Sequence, residues 1–214
     1  KRLSIRIDAR AGEAVVVAPR ERLLAQGLAF ARTKTDWIAE RLEARPVGTP
    51  LAPGGVVMLK GEAVTLVATG GAGAAQLGRT AEGPAILSGG EGEAFSRRVE
   101  NLLKRHARDI LTARTAVHLR TLGEAAGSGP ARVSIVDTRS RWGSCTQDGR
   151  LMFSWRLAMA PPEVLDYVAA HEVAHLAHMD HSPAYWGAVG RLFPGYERQR
   201  QWLRQHGGSL HAWR

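Results

Sequence analysis

Four of the eight histidines of this chain lie between residues 171 and 182, in the segment HEVAHLAHMDHS. The first five residues of that segment, from His171 to His175, form the pattern H-E-x-x-H. Residues four apart on an α-helix lie on the same face, roughly 6 Å apart along its axis, so that two imidazoles can bind one ion. The segment therefore predicts a metal site with His171 and His175 as ligands.

Glu172 directly follows the first histidine and is rotated from it by roughly 100° about the helix axis. It lies outside the set of ligands but can reach a metal-bound water. A general base must occupy this place in order to deprotonate the water and pass the proton to a leaving group. These residue types and their spacing predict hydrolysis with Glu172 as the catalytic base.

A catalytic zinc needs a third protein ligand and keeps one open position. The candidates for the third ligand are His178, Asp180, His181 and Glu197. His178 lies another helical turn along, too far to share the ion, and Asp180 or His181 reaches the ion only if the chain turns back. The residues Ser182-Pro183 are typical of a new helix start and provide that break. Imidazole is the better zinc ligand of the two, which favours His181.

The elements around this segment predict an α+β fold. Pro161 and Pro162 open the helix that carries the histidines, and apolar residues at helical spacing from Phe95 to Val117 predict a long amphipathic helix before it. His106 and His118 on that helix are expected to be core or boundary residues. The stretches RVSIVD and RLMFSWRL predict strands, and a last helix is expected to end at the pair Gly207-Gly208.

The first part of the chain is predicted to be rich in strands. Alternating apolar residues from Leu3 to Ile7, followed by AVVVAP, predict a hairpin. A helical segment with a second start at Thr35 follows, and VVMLKGEAVTLVA predicts two more strands. Residues 69–92 are rich in glycine, for which we expect short, weak strands. We therefore expect a β-rich N-terminal region with a helical segment over 1–92 and the catalytic domain over 93–214.

Composition limits the setting in which the chain works. Cys145 is the single cysteine, so an internal disulfide is excluded and a reducing cytoplasm is the simplest location. The formal net charge is +9 at pH 7, which favours an anionic partner such as a nucleotide or nucleic acid, but an arginine-rich proteome is the preferred explanation. No run reaches the roughly 18 apolar residues of a membrane helix, so no membrane partner is expected.

The stretches RSRWGSC, GRLMFSWRL, PPEVLDYVAAHEVAHLAHMDHSPAYW and FPGYE resemble the YgjP-like metallopeptidases, relatives of the WLM and SprT-like zinc peptidases. RIDARAGEAVVVAPR and FARTKTDWIAERL near the N-terminus also fit, so the resemblance covers most of the chain outside residues 69–92. It implies a zincin-like catalytic domain that cleaves a peptide or protein. It also implies zinc bound by His171, His175 and His181, with Glu172 as base. Related sequences often have phenylalanine where this chain has Tyr185. The tyrosine keeps the packing role of that ring and adds a hydroxyl, and it is a candidate cleft residue.

The stretch TRSRWGSC lies upstream of the histidine helix. In zincins an edge strand beside the metal pairs with an extended substrate, and RLMFSWRL or the strand before it is a candidate for that edge. The residues that would then border the cleft are Arg139, Arg141, Ser144 and Cys145. Arg141 can stabilise an oxyanion in that position. The structural alternative makes Trp142 a core anchor, Gly143 a turn residue and Arg141 a salt-bridge partner.

Three other functions remain open alongside a peptidase. The arginines around Trp142 can hold a polyphosphate, as in a nucleoside triphosphate pyrophosphatase, although no Walker-type loop is present. A DNA-associated protease of the SprT-like kind agrees with the charge and predicts steeply salt-dependent DNA binding. A purely structural zinc normally has four protein ligands and is rich in cysteine, which this segment does not offer.

Overall fold

The structure is a computed structural model, and it describes residues 3–8, 13–43, 49–123, 132–138 and 141–213. The chain forms two compact units, Lys1–Thr49 and Pro50–Arg214. The candidate metal site belongs entirely to the second unit.

The first unit consists of a β-hairpin and two helices. Strands β1 (Ser4–Asp8) and β2 (Glu13–Val17) pair in antiparallel fashion. Helix α1 (Leu24–Arg32) and helix α2 (Thr35–Glu43) follow. The hairpin and the second helix start at Thr35 confirm what the alternating apolar residues and helical composition predict.

The second unit begins with a four-stranded sheet, in the order β3-β4-β6-β5. Its strands are β3 (Val56–Leu59), β4 (Glu62–Ala68), β5 (Gln76–Thr80) and β6 (Gly83–Ser88). Strand β6 pairs with β4 in parallel and with β5 in antiparallel fashion, and its residues Ala85 and Ile86 are buried. The glycine-rich stretch thus contains an interior strand, which the glycine content did not indicate because the strand is completed by a distant partner.

Helix α3 (Gly92–Leu122) has 31 residues and is about 46 Å long. Its buried residues recur along one face: Phe95, Val99, Leu103, Ala107, Leu111, Thr115 and His118. This stripe confirms the predicted amphipathic helix and places His118 in the core, while His106 is half-buried. The helix shares one hydrophobic cluster with Val57 and Leu66 of the four-stranded sheet. The domain boundary expected after residue 92 therefore falls inside the second unit.

A three-stranded sheet follows α3, in the order β7-β9-β8. Strand β7 (Arg132–Val136) is parallel to β9 (Arg150–Ser154), and β8 (Gly143–Cys145) is antiparallel to it. The stretch RLMFSWRL therefore contains the central strand and is not an edge. Strand β8 is an edge, and it lies in a stretch interpreted as a connection because three residues are too few to show an alternating pattern.

Three helices complete the second unit: α4 (Pro162–Ala174), α5 (Pro183–Leu192) and α6 (Glu197–Leu210). Helices α4 and α5 start at the predicted prolines. The predicted end of α6 at Gly207-Gly208 is wrong, because the helix continues to Leu210. A Cβ on Gly207 would lie 2.9 Å from the ring of Trp142, so that this glycine allows close packing inside the helix and does not end it.

The described elements confirm the predicted fold class: mixed α and β, with one long helix, small mixed sheets and a separate helix that carries the H-E-x-x-H segment. Within the ranges that the structure describes, no helix combines the length and the apolar character required to cross a membrane.

Candidate metal centre

The chain reverses direction directly after the second histidine of the H-E-x-x-H segment. Helix α4 is regular up to Ala174, and the amides of Leu176 and Ala177 then bond to carbonyls three residues earlier, at 3.0 and 3.1 Å. Such tighter bonds are typical of a last helical turn. The next helix starts where Ser182 Oγ accepts the amide of Tyr185 at 3.4 Å. The turn between the two helices carries His181 back towards α4.

The side chains of His171, His175 and His181 converge as a result. One ring nitrogen from each histidine lies within 4.8 Å of a ring nitrogen of each of the other two. The ring centroids are 5.3 Å apart for His171 and His175, 5.4 Å for His171 and His181, and 4.8 Å for His175 and His181. Three imidazoles with an open fourth position are the donor set of many catalytic zinc sites.

The protonation of these rings suits a metal. Because the carbonyl oxygen of His178 can only accept, Nδ1 of His175 donates to it at 3.0 Å, which leaves Nε2 of His175 with its lone pair. Burial lowers the pKa of His171 to about 3, and His175 and His181 add to this effect. Burial also lowers the pKa of His175. The Nδ1 atom of His171 is buried without a hydrogen-bond partner in the described residues. Neutral rings of this kind fit a divalent ion.

The other candidates for the third ligand lie elsewhere or are engaged. His178 contributes its backbone carbonyl to the ring of His175. The carboxylate of Asp180 accepts the amide of Ser182 at 3.2 Å, and Glu197 is exposed at the start of α6. Within the described ranges, the structure thus brings His181, and none of these three, to the two histidines of α4.

Glu172 lies in a pocket between helix α4 and strand β8. It is 4% exposed, and no described residue forms a hydrogen bond or ion pair with its carboxylate. Burial raises the pKa of Glu172 to about 8, while the positive charge of Arg141 acts in the opposite direction. A Cβ on Gly143 would lie 2.5 Å from Oε1 of Glu172. Only glycine at position 143 leaves room for the carboxylate in this place.

Tyr185 connects the metal-site elements through both its ring and its hydroxyl. The ring stacks on His175, with centroids 4.4 Å apart and planes at 28°. The hydroxyl donates a hydrogen bond of 3.0 Å to the backbone carbonyl of His171. Burial strongly raises the pKa of the phenol, so the hydroxyl stays protonated as this bond requires. These contacts place Tyr185 beneath the histidines and give its hydroxyl a structural partner.

The remaining residues proposed for the cleft fall in different places. Arg141 is exposed and acts on Glu172 through its charge. Ser144 follows Gly143 on β8, so its side chain lies on the face of the strand opposite to Glu172. Burial raises the pKa of Cys145 to about 11, which excludes a reactive thiolate at neutral pH. Arg139 lies outside the described residues.

Sequence reasoning missed a cavity of about 270 Å³ beside His171 and Glu172. Its other lining residues come from the β8 region, from α4 and from α6: Trp142, Gly143, Tyr167, Val168, Arg200, Leu203 and Arg204. Tyr196 directly precedes α6, and Arg200 lies four residues later on that helix. This spacing is the one local signal that an arginine lies near an aromatic residue. The other contacts join parts of the chain too distant to be visible as a motif.

Three converging imidazoles beside a buried carboxylate define a candidate metal-dependent hydrolase. The family model described as "YgjP-like, metallopeptidase domain" matches residues 1–206, so the chain belongs to the YgjP-like metallopeptidase domain family. Its metal-dependent peptidase class follows from that membership. The chain is also similar to the crystal structure of the metallopeptidase zymogen of Pyrococcus abyssi abylysin, with 24% identity over 52% of this chain and 94% of that chain, at a TM-score of 0.35. The comparison with curated proteins gives no significant match.

Proposed function

We propose that the protein is a zinc-dependent peptidase in which His171, His175 and His181 hold the metal and Glu172 is the catalytic base. The observation that carries the proposal is the juxtaposition of three ring nitrogens within 4.8 Å of one another and a carboxylate without a partner on the same helix. Family membership supports the peptide substrate. The choice of zinc rests on the all-imidazole donor set.

Zinc held by these three histidines would supply a Lewis acid able to polarise the scissile carbonyl and to lower the pKa of a water. Glu172 accepts a proton from the attacking water and delivers it to the nitrogen of the leaving amine. Its carboxylate is available because no described residue pairs with it. Burial raises its pKa to about 8 and hence its basicity, and a nearby divalent cation would favour the ionised form that a base needs.

Two further expectations belong to this proposal. Strand β8 has β9 as its one partner strand among those described, so its other edge is a candidate for backbone pairing with an extended peptide. We also infer a reducing, cytoplasmic setting, because the single cysteine is half-buried with a raised pKa and suits neither disulfide formation nor catalysis.

The test compares zinc-loaded wild type with Glu172→Gln and Glu163→Gln on a peptide library read by mass spectrometry. Glu163 is an exposed carboxylate on the same helix and is the matched control. We expect wild type and Glu163→Gln to cleave alike, and Glu172→Gln to cleave roughly 10²- to 10⁴-fold more slowly with its zinc content unchanged. Equal cleavage by Glu172→Gln, or no cleavage by the zinc-bound wild type, contradicts the proposal.

A further inference from the structure

The cavity beside His171 and Glu172 receives two arginines from α6, Arg200 and Arg204. Both belong to its lining, and neither forms an ion pair with a carboxylate in the described part of the chain. The carboxylate of Glu172 also lines the cavity, yet no ion pair joins it to either arginine. Two cations that lack an ion-pair partner among the described residues, at a cavity next to the candidate metal site, favour an anionic ligand supplied from outside the chain.

Arg200 is held in place by aromatic rings. Its guanidinium carbon lies 4.4 Å from the ring centroid of Trp186, and Trp186 stacks on Tyr196 with centroids 5.3 Å apart. Tyr196 in turn stacks on Tyr167, with centroids 6.1 Å apart. Because stacking fixes one face of the guanidinium, its N–H groups remain available at the rim for a planar acceptor.

The rest of the lining is largely apolar. Trp142, Tyr167, Val168 and Leu203 contribute rings or aliphatic side chains. A ligand with an apolar body and a carboxylate end complements both the walls and the guanidinium fork.

We propose that this cavity is a substrate subsite that takes a carboxylate-bearing group of the peptide, with Arg200 as its specificity-determining residue. The proposal rests on the proposed peptidase function and names the chemistry that its substrate must carry. The carboxylate has two possible sources, the C-terminus of a peptide and an acidic side chain within it. Both have the same planar, bidentate geometry, and the experiment separates them.

The experiment measures equilibrium binding to the zinc-loaded protein by calorimetry, with two matched pairs of probes. N-acetylphenylalanine and its amide differ at the terminal carboxylate, whereas the α-amides of N-acetylglutamate and N-acetylglutamine differ at the side chain. We expect the carboxylate member of one pair to bind about tenfold or more tightly than its neutral partner. The pair that shows the preference identifies the source.

Variants of α6 assign the preference to the subsite. Arg200→Gln should bring the ratio of the two affinities, that of the carboxylate probe to that of its neutral partner, close to one. Arg200→Lys should keep part of it, because lysine retains the charge but lacks the bidentate fork. Arg204→Gln, at an exposed position that leaves folding intact, should lower the ratio as well. Arg198→Gln changes an exposed arginine of the same helix outside the cavity and should leave the ratio unchanged.

Three results overturn the subsite. The first is no preference in either pair of probes, and the second is a preference that persists in Arg200→Gln because the carboxylate binds the metal. The third is Arg200-dependent binding of inorganic pyrophosphate that is tighter than the binding of every carboxylate probe. Binding needs no turnover, so the two proposals fail separately. A carboxylate preference without peptide cleavage keeps the subsite and contradicts the peptidase. Peptide cleavage without a carboxylate preference keeps the peptidase and contradicts the subsite.

Discussion

Two carboxylates of helix α4 are largely withdrawn from solvent, Asp166 in its first half and Glu172 near its C-terminal end, and the two differ in their partners. Asp166 accepts hydrogen bonds from Nε and Nη2 of Arg114 at 2.7 and 2.6 Å and pairs with Nε2 of His118 at 2.6 Å. Glu172, six residues later, is 4% exposed and has no such partner in the described ranges. The same helix therefore has a satisfied carboxylate at one end and an unsatisfied one at the other.

The pKa values of the two groups move in opposite directions. Burial pushes the pKa of Asp166 upward, but the hydrogen bonds from His118 and Arg114 outweigh it and hold that pKa below its ordinary value. At Glu172 burial acts almost alone and raises the pKa to about 8. The paired carboxylate links α4 to α3, whereas the unpaired one has no internal partner and is free for its proposed role in proton transfer. Changes at the unpaired end should therefore cost function, and changes at the paired end should cost stability.

The largest expected effect is on metal binding at the unpaired end. His181→Ala removes one of the three proposed ligands, so zinc affinity should fall by more than the roughly 10- to 100-fold that loss of an outer partner costs. Zinc content after dialysis against a competing chelator measures it. His178→Ala is the control, because His178 contributes its backbone carbonyl and should keep the metal. Full zinc and activity in His181→Ala would instead make Glu197 the next candidate, to be examined as Glu197→Ala.

The second largest effect is expected from a substitution that displaces the carboxylate of Glu172 without changing its chemistry. In Gly143→Ala the new Cβ would lie 2.5 Å from Oε1 and 2.8 Å from Cδ of Glu172, so that the carboxylate must move. A shift of about 1 Å in a catalytic group lowers turnover roughly a hundredfold, and kcat should fall by about that factor while zinc is retained.

The control for this change is Gly187→Ala on α5, where a Cβ meets nothing nearer than 3.8 Å and kcat should stay at the wild-type value. Wild-type kcat in Gly143→Ala would show that the pocket between α4 and β8 does not position Glu172.

At the paired end, Asp166→Asn should lower the free energy of unfolding by about 2 kcal/mol, because it leaves Arg114 and His118 without their acceptor charge. Zinc content should not change. Since the folded pKa of Asp166 is depressed, its contribution is present above the unfolded pKa and is lost as pH falls through the folded pKa. Urea unfolding at a series of pH values measures the difference from wild type, with exposed Asp109→Asn as control. A difference that does not shrink as the pH falls contradicts this account.

The comparison also shows what a sequence can reveal. The three histidines and Glu172 were predictable because helical periodicity and the Ser182-Pro183 start are local signals. Gly143 and Arg200 were not, because their importance arises from contacts between β8, α4 and α6, which lie far apart in the chain. The prediction at Gly207-Gly208 was wrong for the same reason. A glycine pair is typical of a helix end, but Gly207 instead makes room for the distant Trp142.

The smallest expected effect concerns Tyr185, which is fully buried beneath the histidines. Tyr185→Phe keeps the ring stacked on His175 and removes only the 3.0 Å hydrogen bond to the carbonyl of His171. The free energy of unfolding should fall by about 1 kcal/mol, with a modest loss of zinc affinity because His171 is held less firmly.

Loss of a donor to the transition state would instead lower kcat roughly 10²- to 10³-fold. Since the hydroxyl already donates to a backbone carbonyl, kcat of the zinc-saturated variant should stay within several-fold of wild type. A hundredfold decrease at full zinc occupancy would move Tyr185 from the supporting structure to the chemistry of the unpaired end.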